Sequence, residues 1–181
     1  ERDPDVVPGM AGKPSTTAMM GDIARTSARK VRLSFEVSGT MGIERIDIRN
    51  GAGTVATVRG YDEGMLGSRV RARWAGAEYR GRGRTTAWSG EASFSRARIE
   101  RFEKIAIWNH ERRFEQTGPS SLSFEAPVAG NLAAFDVWLS EPTGHMRIET
   151  NRGVLQTELP AMGMEDHVLD AGGLQRRLLA Y

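Results

Sequence analysis

Arg69-Val70-Arg71-Ala72-Arg73-Trp74 is the stretch whose reading decides the fold. Apolar and charged residues alternate along it without a break. Successive side chains of a strand point to opposite faces, so Val70, Ala72 and Trp74 line a buried face and the three arginines the other. The same alternation extends outward in both directions. Upstream, Val31, Leu33, Phe35 and Val37 alternate with Arg32, Ser34 and Glu36 and predict a half-buried strand. A second strand is expected over residues 43–48, with Ile46 and Ile48 on one face and Arg45, Asp47 and Arg49 on the other. Asn50-Gly51, both tolerant of positive φ, turns it into a partner strand over 54–59. Downstream, strands are expected over 91–95, 98–102, 105–108, 121–126, 134–139, 145–150, 155–159 and, after Gly172-Gly173, 174–180.

Many short strands with turn residues between them predict an all-β fold, an antiparallel two-sheet β-sandwich over residues 29–181. Residues 1–28 hold Pro4, Pro8, Gly9, Gly12, Pro14 and Ser15-Thr16-Thr17 with no sustained period, and are expected to be a mostly irregular arm or linker. Helical spacing is absent except over 162–169, where one short turn of helix is expected. The first residue is Glu1 rather than Met, the start expected of a processed or excised chain.

At 181 residues a single core buries enough surface to hold the fold without staples. There are no cysteines, which excludes disulfides, thiol catalysis and cysteine metal sites. No apolar run approaches the ~20 residues that span a bilayer, so no membrane partner is expected. The formal charge is +2 and the sequence pI about 9.3. Lys13, Lys30 and Lys104 are the only lysines, leaving arginine as 22 of the 25 cationic residues. Acidic residues are interleaved throughout, so no nucleic-acid surface is expected.

His110, His145 and His167 stand in no metal-binding spacing, although Asp136, Asp166 and Asp170 could join them after folding. No Gly-x-Ser-x-Gly elbow and no phosphate-cradling Gly-x-x-x-x-Gly-Lys loop occurs. Arg80-Gly81-Arg82-Gly83-Arg84 reads as a bulge or hairpin bend with solvated arginines, or as an anion site beside a partner. Trp108-Asn109-His110 follows Ile105 and reads as a core tryptophan before a turn, or as a sugar-binding cluster at a loop mouth. Trp74 falls on the core face. Trp138, out of phase with Val137 and Leu139, falls on the other face.

Several stretches resemble a known family. They are residues 42–51, Trp74 through Arg84, Trp88-Ser89-Gly90, Phe102 through Asn109, and Asp170-Ala171-Gly172-Gly173-Leu174. Together they look like the C-terminal β-rich portion of uncharacterised bacterial proteins related to PHP-type, carbaryl-hydrolase-like metal-dependent hydrolases. The segment through Met20-Gly21-Asp22 looks like the passage joining a catalytic barrel to that portion. The resemblance implies a metal centre, with its divalent cation, in an upstream barrel outside this chain, no cofactor in the chain itself, and no catalytic residue here. The chain would be a non-catalytic accessory domain that packs on the upstream catalytic domain or holds a homo-oligomer together. Arg82, Arg84, Trp88, Trp108, Asn109 and His110 are the residues expected to face that partner or a ligand. The alternative is a stand-alone carbohydrate-binding module, and a weaker third reading is a small hydrolase using His110 with a nearby aspartate.

Overall fold

The computed structural model describes residues 21, 23, 27–51 and 53–181. The chain divides into two units, Glu1–Met41 and Gly42–Tyr181. In the first, the strand expected over Val31–Val37 does not form: residues 31–37 carry no secondary structure and are exposed along their length. Alternation gives a strand a face to bury, but a strand also needs a hydrogen-bonded neighbour, and residues 31–37 have none among the described residues. Most of the arm expected over 1–28 lies outside the described residues.

The second unit is built from twelve strands: β1 (Arg45–Asn50), β2 (Gly53–Arg59), β3 (Arg69–Ala77), β4 (Thr86–Phe94), β5 (Ile99–Ile105), β6 (Phe114–Gly118), β7 (Ser121–Val128), β8 (Leu132–Leu139), β9 (His145–Thr150), β10 (Gly153–Glu158), β11 (His167–Asp170) and β12 (Leu174–Ala180). Ten of them form two antiparallel five-stranded sheets, a first sheet in the order β11-β12-β3-β8-β5 and a second in the order β10-β9-β4-β7-β6. The remaining pair, β1-β2, is a hairpin whose turn is set by Gly51 at φ 57°. The all-β sandwich predicted from the alternation is therefore the fold.

Between the sheets lies one hydrophobic core. Trp74 and Phe135 from the first sheet meet Trp88, Leu122 and Phe124 from the second, all of them fully or almost fully buried. The Trp74 and Phe124 rings stack at 4.7 Å, and Phe135 packs against both at 6.0 and 5.4 Å. Such pairs add to the area they bury. The indole N–H of Trp74 donates to the Ala126 carbonyl across the sandwich at 3.4 Å, which places its polar atom in an apolar interior at little cost. Gly90 makes room for this cluster. A Cβ there would press on the Phe124 ring and on the backbone of Glu149 in the neighbouring strand.

Other elements differ from expectation. The strands expected over 98–102 and 105–108 are one strand, β5, and the chain leaves it at Ala106, which takes a left-handed φ of 55°. Residues 162–169 are not a helical turn: the chain turns at 163–165 and enters β11, whose residues pair with 177–180 of β12. β6 and the first half of β4 were not expected as strands. Both hold short polar residues in place of a second apolar face, so their alternation is faint.

Candidate functional site

The outer faces of the two sheets differ. On the first sheet Ala134, Asp136 and Trp138 point away from the core, yet Ala134 and Asp136 are buried. Arg71 grips Asp136 through two bonds, Nε to Oδ1 at 2.6 Å and Nη2 to Oδ2 at 2.7 Å, and its Nη1 reaches Glu44 at 2.6 Å. Glu44 also accepts from the Tyr181 hydroxyl at 2.8 Å. Arg45 and Arg59, one from each hairpin strand, share the Asp166 carboxylate and flank the Tyr181 ring at 5.7 and 5.6 Å.

The electrostatics follow from these contacts. Hydrogen bonds to Asp136 raise the Arg71 pKa against the opposing effect of burial. For Arg45 burial is the largest influence and opposes the charge, but hydrogen bonds to Asp166 and Asp47 outweigh it and raise the pKa. Burial, then the bond to Glu44, pushes Tyr181 up to about 12. This network fastens the hairpin to the sandwich.

On the second sheet the outer face is open. An open cavity of about 610 Å³ runs over β9, β4 and β7 and reaches Arg113 just before β6. That volume is within the range of small-ligand sites. Its floor is made of short side chains, Ser89, Ser93 and Ser123, because every second residue of β4 and β7 faces outward. The hydroxyls of Ser89 and Ser123 make no hydrogen bond among the described residues, while that of Ser93 donates to the Arg147 carbonyl at 3.4 Å. Longer side chains stand at the edges: Arg147 and Glu149 from β9, Asn151 beyond it, and Arg113 on the other side. Register places Glu91 directly opposite Glu149 and opposite Ser123. Two like charges at adjacent pair positions oppose strand pairing. Arg147 offsets this in part, donating to Glu149 at 2.7 Å.

Arg113 ends the loop between β5 and β6. Within that loop Ile107 is buried in the core and Trp108 is turned out, 83% exposed. Asn109 shapes the bend: its Oδ1 accepts from the Glu111 amide at 2.9 Å and its carbonyl from the Arg112 amide at 3.3 Å. His110 lies 3.3 Å from Lys104 Nζ. Trp108, Asn109 and His110 thus share one exposed loop that leads to the edge of the trough. The reading of Trp108 as a core residue is overturned, because Ile107 takes the inward position.

The other expected site residues lie elsewhere. Arg82 and Arg84 lie on an exposed, kinked turn between β3 and β4, with Gly81, Gly83 and Arg84 at φ 104°, 75° and 49°. Trp88 departs from the expectation of a partner-facing residue: it is fully buried in the core, with the Arg152 guanidinium 5.9 Å from its ring. It alternates in phase with Thr86 and Ala92, so its strand turns it inward. Asp136 and Asp166 are taken by arginines rather than histidines, and Asp170 pairs with Arg177 at 3.5 Å. Among the described residues no three His, Cys, Asp or Glu side chains converge as metal ligands do.

The serine and glutamate trough was missed in the sequence. Its signal is Ser89-x-Glu91-x-Ser93 and Ser121-x-Ser123-x-Glu125, period-two polar rows on strands whose other rows are core. No protein-family model, curated protein or solved structure matches the chain. The resemblance to PHP-type hydrolases rests on the residues quoted for it.

Proposed function

We propose that this chain is a non-catalytic binding module that takes a carbohydrate along the outer face of its second sheet. The trough supports the reading. A sugar presents hydroxyls that both donate and accept, and the trough offers carboxylate acceptors at Glu91 and Glu149, guanidinium donors at Arg113 and Arg147, and serine hydroxyls that do either. Carbohydrates also carry apolar C–H faces that stack on aromatic rings. Trp108, on the loop that supplies Arg113, is an exposed ring available for this. The accessory role expected from the resemblance is retained, with the ligand on this chain. Its attachment to a metallohydrolase barrel rests on the resemblance alone.

The test is tryptophan emission during titration with a panel of neutral and acidic oligosaccharides. Trp74 and Trp88 are buried and the half-buried Trp138 lies on the first sheet under the Arg101 guanidinium, so a change lost in Trp108→Ala reports on Trp108. A saturable change is expected, abolished in Trp108→Ala. Binding followed by calorimetry should weaken about tenfold in Arg147→Ala, the effect of losing one charged hydrogen bond. A flat response across the panel ends this reading.

A further inference from the structure

Val31, Leu33, Phe35 and Val37 are 73%, 61%, 46% and 48% exposed, and residues 31–37 make no hydrogen bond among the described residues. Four alternating apolar side chains with an unused backbone ladder amount to a segment patterned as a strand that lacks the partner it needs to form one. The sequence of this strand is complementary to itself. In an antiparallel pair centred on Ser34, Val31 lies opposite Val37, Leu33 opposite Phe35 and Arg32 opposite Glu36, each twice by symmetry. All the apolar side chains then share one face, and the other carries two Arg–Glu pairs around the Ser34 axis. A shift of one residue would set apolar against polar faces. A shift of two leaves Val37 or Val31 opposite residues outside the apolar run. A parallel pair would place Arg32 beside Arg32 and Glu36 beside Glu36, which is unfavourable.

We infer that residues 31–37 are a dimerisation strand whose partner is the same strand of a second copy. The pairing is isologous, the closed two-fold arrangement that lets one patch serve both subunits. It gives the homo-oligomer expected from the sequence a specific address. A two-stranded ribbon is marginal by itself, so the association is concentration-dependent.

The experiment is sedimentation equilibrium of the whole chain over a concentration series reaching about 1 mM, the range in which weak pairing is seen. The mass should rise from 19.9 kDa toward twice that value. Glu36→Arg should hold the chain at the monomer mass, because four like charges then meet at the axis. The double variant Arg32→Glu with Glu36→Arg restores both pairs and should restore the dimer. Both positions are exposed and bond to nothing among the described residues, so the sandwich should be unaffected. The chain has no cysteine, so Ser34→Cys gives a clean second readout: an intermolecular disulfide under mild oxidation. A parent mass that stays at 19.9 kDa, including the outcome in which the strand pairs within its own chain, overturns the inference. So does a dimer insensitive to Glu36→Arg, or one the double variant fails to recover.

Discussion

On the first sheet the outward-facing Arg71 is largely covered and Asp136 is buried against it, whereas on the second Arg147 and Glu149 stand in solvent, although both sheets show the same alternation of apolar and polar residues. Arg71 holds Asp136 and reaches Glu44, just before the β1-β2 hairpin, and Glu44 is joined through Tyr181 to Arg45, Arg59 and Asp166. Arg147, Glu149 and Glu91 line an open trough. Alternation tells which side chains turn away from the core. It does not tell whether that second side meets water, because a third layer from elsewhere in the chain can cover it. The energetic meaning of an outward charge is therefore opposite on the two sheets. Covered charges must be paired to be tolerated, and open ones contribute little to stability and are free to bind.

The contrast predicts its largest effect at Asp136. Asp136→Ala leaves the largely covered Arg71 guanidinium with Glu44 as its remaining acid. Removing one partner of a buried ion pair costs about 3–5 kcal/mol. Urea unfolding should show the unfolding free energy in water lowered by that amount, read as a lower midpoint at unchanged slope. A loss below about 1 kcal/mol, the level of a surface pair, would break the comparison, since the first sheet's outer face would then behave as open.

A smaller effect is expected at Tyr181, and its sign is fixed by linkage. Its phenol is raised to about 12 in the fold, above the usual value of 10.0. The unfolded chain therefore loses its proton first as pH rises. Stability from this group is fully present below pH 10.0, falls as pH rises, and is gone above about 12. The change is on the order of 2 kcal/mol. Tyr181→Phe should flatten this alkaline slope and cost roughly 1 kcal/mol at neutral pH, the worth of its bond to Glu44. Denaturant unfolding at stepped pH reads both. An alkaline slope that persists in Tyr181→Phe would mean that another group carries it.

The sequence made the sandwich and its core legible wherever one row of a strand was large and apolar. Val70, Ala72 and Trp74 in β3 are such a row and are buried as read, and Met146 and Ile148 form a similar buried row in β9, where only the strand was expected. It was misleading where a pattern lacked its partner. Residues 31–37 alternate as cleanly as β3, but hydrogen-bonded pairing is a property of two segments, and periodicity describes one. The trough was hard to see for a different reason: Ser89, Ser93 and Ser123 look like filler until register sets them side by side. Trp88 and Trp108 were assigned to one kind of site, but phase separates them. Trp88 shares the row of Thr86 and Ala92, whereas Ala106 reverses the chain after β5 and Ile107 takes the inward place.

The smallest effect on stability should come from the trough, and there the sign reverses. Glu91 faces Glu149 across the β4–β9 pair, and both are exposed. Glu91→Gln keeps the shape and removes the repulsion, so it should leave the fold unchanged or up to about 0.5 kcal/mol more stable. The same substitution takes a carboxylate from the proposed sugar site and should weaken oligosaccharide binding several-fold. An uncovered polar face with a function is expected to show this trade, in which a charge unfavourable to the strand pair is useful to a ligand. A paired and covered charge such as Asp136 shows the reverse, because its removal costs stability. Should Glu91→Gln destabilise the protein by more than about 1 kcal/mol, Glu91 would belong with Asp136 as a structural charge, and the second sheet's outer face would not be the open binding surface described above.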